Sequence, residues 1–178
     1  MDSARLSRNG TQLAQPSPWV VRWSLTIPAR GRVLDLAAGS GRHARWLTAS
    51  GYRVLAVDRD ADALAGLTRE GIEVLQADLE QGPWPLPDAH FDGIVVTCYL
   101  HRPLFSLLEA ALAPGGVLIY ETFMVGQQDF GRPTRPDFLL RPNELLGAFP
   151  GLVVLAFAQG YSQAPRPAMM QRITAYRP

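Results

Sequence analysis

Three carboxylates, Asp35, Asp58 and Asp78, each stand at or near the end of an apolar run, in VLDL, YRVLAVD and IEVLQADL. Two glycines, Gly39 and Gly41, follow the first of them at once. An acid followed by a glycine turn and then HARWLT, which has helical spacing, is a cradle for a ligand of mixed charge. The unpaired N–H groups and positive dipole end of the helix favour an anionic group, while Asp35 favours a cation. A ligand carrying both an ammonium and a carboxylate satisfies the two ends together. A second set of polar residues, Thr97, Cys98, Tyr99, His101 and Arg102, follows a fourth apolar run, FDGIVVTCYL.

Strands and helices must alternate to bring these residues to one edge. The pattern predicts strands over Val33–Leu36, Tyr52–Asp58, Ile72–Leu79, Phe91–Leu100 and Val117–Phe123. Between the second and third lies a helix, DADALAGLTREG, capped by Asp60 and stopped at Gly71. Another helix starts at Pro103 and stops at Pro114, Gly115 and Gly116. This rhythm predicts right-handed βαβ crossovers and an α/β fold with a parallel sheet buried on both faces, whose carboxyl edge binds the ligand. Residues 122–142 are too broken by glycine and proline for a regular element, and read as an irregular loop on the substrate side. A short helix over Asn143–Phe149 precedes a closing pair of strands, LVVLAFAQGY and AMMQRITAYR.

The 178 residues read as one domain, with residues 1–18 a flexible N-terminal segment. No apolar run has the length of a membrane span and the opening residues lack a secretory core, so a cytoplasmic protein with no membrane partner is expected. A net charge of +1 argues against a nucleic-acid footprint. Cys98, the one cysteine, excludes an internal disulfide, and three dispersed histidines give no metal site. All 17 basic residues are arginine, which excludes lysine-based chemistry.

In order and spacing, VLDLAAGSG, VDRD, QADL, FDGIVVTCYLHR and LAPGGVLIYETF resemble the successive motifs of the class I S-adenosylmethionine-dependent methyltransferases, most closely the small, tellurite-resistance-type members. The resemblance implies a Rossmann-like three-layer sandwich with a seven-stranded, mostly parallel sheet and one antiparallel strand near the C-terminus. It implies S-adenosylmethionine as cofactor, held by Asp35, Ala37, Gly39, Gly41, Asp58, Arg59, Asp78, Leu79 and Thr97. Ala37 departs from the family's usual third glycine. His101, Tyr99 and Glu121 are the candidate catalytic residues, and Tyr99, Arg102, Arg132 and Arg135 the candidate substrate ligands. Cys98 reads as a small buried apolar residue, and His43 and His90 receive no role. A small-molecule acceptor is favoured. GSGRHA also fits the dinucleotide pattern GxGxxA, so an NAD(P)-binding oxidoreductase is a rival, as is a non-catalytic S-adenosylmethionine-binding sensor or partner subunit.

Overall fold

The computed structural model describes residues 15–163 and 166–178. Its elements are α1 (Pro18–Ser24), β1 (Arg32–Leu36), α2 (Arg42–Ala49), β2 (Arg53–Asp58), α3 (Ala61–Arg69), β3 (Glu73–Gln76) and β4 (Phe91–Thr97). They continue with α4 (Phe105–Ala110), β5 (Leu112–Phe123), α5 (Glu144–Ala148), β6 (Val153–Ser162) and β7 (Ala168–Tyr176). The seven strands form one sheet in the order β3-β2-β1-β4-β5-β7-β6. Strands β1 to β5 pair in parallel, and β7 runs antiparallel between β5 and β6. This is the expected Rossmann-like architecture.

The near-continuous apolar strands follow from burial on both faces. Leu34, Leu55, Ile94 and Leu118 pack under α4 and α5 with Leu108 and Phe149. Their strand neighbours Val33, Val54, Val95 and Val117 pack on the other face with Val20 of α1, Leu47 of α2 and Leu67 of α3. Asp60 caps α3 as expected, its side chain accepting from the amides of Asp62 and Ala63.

Several boundaries differ from expectation, each for a local reason. β4 stops at Thr97 because Cys98 takes a left-handed φ of 55°. β3 stops at Gln76, and Asp78 turns the chain by accepting the Glu80 amide at 2.9 Å. α4 ends at Ala110, whereas a helix as far as Pro114 was expected, and β5 already begins at Leu112. Gly115, with φ 77°, and Gly116, whose Cβ would lie 2.8 Å from the Phe91 carbonyl, let the APGG segment bend along the sheet. Arg177 exchanges backbone hydrogen bonds with both glycines.

The expected irregular loop starts later and is more ordered than its composition suggests. β5 pairs with β7 through Phe123, and Met124 then forms a bridge with Leu140. Gln127 is 2% exposed and accepts the Met169 amide. At the other end of the chain, residues 1–14 of the expected flexible segment lie outside the described residues. Residues 15–18 do not fit that expectation: Ser17 is buried and caps α1 by accepting the Trp19 amide. No helix among the described residues is long and apolar enough to cross a membrane.

Candidate active site

The carboxyl ends of β1, β2 and β4 converge on the glycine turn. Ala37, Gly39 and Gly41 all have positive φ, at 54°, 53° and 76°. Gly41 is also required by space, since a Cβ there would stand 2.3 Å from the fully buried Leu67 side chain. Nothing lies within 4 Å of a Cβ built on Gly39, so this turn presents bare backbone to an open cradle. Ala37 holds the left-handed conformation despite its methyl group, at a cost of about 1 kcal/mol. Ala37→Gly is therefore expected to raise the melting temperature by about 2–4 °C, a shift read by thermal denaturation.

Asp58 ties this turn to β2. Its Oδ2 accepts the Gly39 amide at 2.7 Å and its Oδ1 the Asp60 amide at 3.0 Å, leaving lone pairs for a ligand. Asp58 lines a cavity of about 180 Å³ with Ala37, Arg59, Ala77, Asp78, Leu79, Glu80 and Tyr99. Six residues singled out in the sequence thus share one cleft between β2 and the turn after β3. Asp35 lies behind it at 2% exposure, and its Oδ2 has no hydrogen-bond partner among the described residues. Burial pushes its pKa up to about 7, against the pull of the Ala44 amide and Arg42.

This donor set fits S-adenosylmethionine. Asp58 and Asp78 would meet hydroxyl and amino hydrogens, Leu79 an apolar ring face, and the glycine turn the carboxylate end. The orphaned Asp35 oxygen supplies negative charge on the side where an ammonium would lie. Asp58→Ala is expected to weaken S-adenosylhomocysteine binding about tenfold or more, because it removes a charge-assisted acceptor and frees the Gly39 amide. Calorimetric titration checks this, and unchanged affinity would contradict the assignment.

A larger cavity, about 600 Å³, opens beside the first residue of α2 and the end of β4. Trp19 and Arg22 of α1, Arg42 of α2, Cys98, Glu121 and Phe123 of β5, and Arg166, Ala168, Met170 and Arg172 line much of it. Cys98 is open to this cavity and is not the buried apolar residue its sequence context suggested. Glu121, 5% exposed, is bound by Arg172 at 2.5 Å, and Arg172 also reaches Ser162 Oγ at 3.1 Å. The strand register explains the pair, since Glu121 stands opposite Arg172 across β5 and β7.

His43, which had no expected role, is buried beside Thr97. Its Nε2 accepts the Ser17 amide at 3.0 Å, which leaves the proton on Nδ1, 3.3 Å from Thr97 Oγ1. Burial, helped by Arg42, pushes its pKa down to about 3, so the ring is a neutral strut between α1 and β4.

Of the remaining candidates, Arg102, Arg132, Arg135 and His101 are not brought into either cavity. Arg102 spends its donors on Glu144, at 2.6 and 3.0 Å, and on the carbonyls of Asp137 and Leu139. It clamps the loop before α5 and keeps only one of its five N–H donors uncommitted, too few for the bidentate grip expected on a substrate anion. Arg135 pairs with Asp137 on the surface and lies over Phe138, and the Arg132 side chain is exposed. His101 lines neither cavity and its side chain makes no cap. Tyr99 lines the smaller cleft, where burial first and then Glu80 and Asp78 push its phenol well above the usual range. A phenol held protonated in this way is a poor base.

Residues 33–116 match the family described as "Methyltransferase domain". The chain is 35% identical over 130 residues to a protein-L-isoaspartate O-methyltransferase of Chlorobaculum tepidum, an alignment covering 67% of this chain and 58% of that protein. The match thus spans little more than half of that relative's length. TehB from Haemophilus influenzae shares the fold with a TM-score of 0.74 at 20% identity, over 89% of this chain and 61% of TehB. An S-adenosylmethionine-dependent methyltransferase from Mesorhizobium loti gives a TM-score of 0.67 at 21% identity, over 86% of this chain and 95% of its own. In its strand order and glycine cradle the chain has the fold of these methyltransferase structures, and its residues 33–116 match the methyltransferase domain family.

Proposed function

We propose that this chain transfers a methyl group from S-adenosylmethionine to a small molecule bound in the 600 Å³ cavity. The observation that carries this reading is the pair of cavities along the carboxyl edge of the parallel strands, one at the ends of β1 and β2 and one at the ends of β4 and β5. The smaller is lined by Asp58, Asp78 and Leu79; the larger is closed by α1, β5 and β7 and has the size of a small-ligand site. The bound sulfonium supplies an activated methyl: the acceptor's lone pair makes the new bond, and the carbon–sulfur pair returns to sulfur. The protein's part is to align donor and acceptor and to exclude water. Thr97, fixed by the His43 strut, and Cys98 stand at the end of β4 between the two spaces. Glu121, the one acid lining the larger cavity among the described residues, is committed to Arg172, so no free carboxylate stands ready as a general base. This favours an acceptor whose lone pair is available on arrival.

A second reading comes from the relative named a protein-L-isoaspartate O-methyltransferase. Carboxyl methylation of a peptide also needs no base, because a carboxylate is already nucleophilic. Both readings are tested by following S-adenosylhomocysteine release over thiol, phenol, amine and carboxylate acceptors, with an isoaspartyl peptide as a separate arm. Turnover on a small acceptor supports the first reading. Turnover on the peptide alone replaces it with the second, and cofactor binding without turnover on any acceptor favours a binding module.

A further inference from the structure

We infer that the 600 Å³ cavity is built for an organic oxyanion: a small acid whose charged group is held by Arg42 and Arg166 and whose apolar body lies on Trp19, Phe123 and Met170. This rests on the methyltransferase reading and names the substrate class for the same site. The charge balance of the lining carries the argument. Four arginines, Arg22, Arg42, Arg166 and Arg172, face one acid, Glu121. Arg172 is matched by Glu121 at 2.5 Å, and the Arg22 guanidinium stacks 5.2 Å from the Trp23 ring. Arg42 and Arg166 have no ion-pair partner among the described residues.

Both cations line the same cavity as Cys98. The cavity walls around the exposed Cys98 thiol raise its pKa by desolvation and Glu121 adds to the rise, while Arg42 and Arg166 pull it down. An Arg42 amino group lies 3.9 Å from the sulfur. Two guanidinium groups lining one cavity offer forked donors that match a carboxylate or phosphate, and a partly enclosed site makes that match stronger than it would be in water. The rest of the lining, with Phe123, Ala168 and Met170, suits a hydrocarbon body and not a second charge.

The test is calorimetric titration of the protein, saturated with S-adenosylhomocysteine, with phenylacetate, phenyl phosphate and the uncharged phenylacetamide. At least one of the two anions is expected to bind about tenfold or more tightly than the amide, and the better one identifies which oxyanion the site prefers. Arg42→Gln and Arg166→Gln should each weaken that binding about tenfold, whereas Arg69→Gln, a charge change in the last turn of α3, should leave it unchanged. Equal binding of amide and anions, no binding of either anion, or no effect of the two arginine substitutions in variants that melt like the parent overturns the inference. S-adenosylhomocysteine is titrated first by itself. Its failure to bind counts against the methyltransferase reading, whereas its binding without anion selectivity counts against this inference alone.

Discussion

Asp35→Asn is expected to raise the melting temperature at pH 8 by about 5 °C or more, and to weaken S-adenosylmethionine binding about tenfold or more. The two effects have one cause. A carboxyl group that titrates at about 7 in the folded protein, against about 3.9 in the unfolded chain, loses the folded state about 4 kcal/mol above pH 7, an upper bound for a single group. Because the folded-state pKa is the higher one, the native state binds the extra proton between these values. Stability is therefore complete below about pH 3.9 and falls as pH rises to 7. Asparagine removes the buried charge, so its advantage should be large at pH 8 and small at pH 5. A bound ammonium reverses the balance by favouring the carboxylate, so wild-type affinity should fall as pH drops from 8 to 6, while that of the variant stays flat. Melting curves and titrations at pH 5, 6 and 8 check both halves. A variant that gains stability and keeps its affinity would remove Asp35 from the cofactor site.

Glu121→Ala should lower the melting temperature by about 6–12 °C. The side chains of Glu121 and Arg172 are 7% and 18% exposed, so the pair is shielded from solvent. Deleting Glu121 leaves the Arg172 charge largely shielded from solvent and hydrogen-bonded to the neutral Ser162 hydroxyl, which costs about 3 kcal/mol or more. The double variant Glu121→Leu, Arg172→Met removes both charges and should recover most of the loss. A single variant that melts like the parent would show that the pair contributes no net stability. The same pairing explains why Glu121, read from the sequence as a catalytic candidate, is better placed to hold β5 against β7 at the cavity wall.

The residues of the proposed cofactor side can be gathered from the sequence because they are local. Asp35, Gly39 and Gly41 lie within seven residues, and Asp58 and Asp78 mark the ends of successive apolar runs, so chain order alone brings them to one edge of a parallel sheet. Those of the acceptor side cannot, because strand register and packing bring them together. Arg172 meets Glu121 from 51 residues away, and Arg102 meets Glu144 from 42 residues away. Loop arginines such as Arg132 and Arg135 attract notice in sequence, yet they point outward. Arg42, one residue past the glycine turn, carried a usable signal, since the first residue of α2 must stand beside the crevice that the turn defines. The cavity is closed by α1, β5 and β7, and Phe123 is its one lining residue from the 122–142 segment.

The glycine turn and its flanking carboxylates form the proposed S-adenosylmethionine site. Calorimetric titration of the purified protein with S-adenosylmethionine, S-adenosylhomocysteine and NAD tests it most directly. One molecule of either adenosyl compound per chain should bind, with affinity reduced in Asp58→Ala, and NAD should give no heat of binding. Saturable binding of NAD with none of S-adenosylmethionine or S-adenosylhomocysteine would contradict the account.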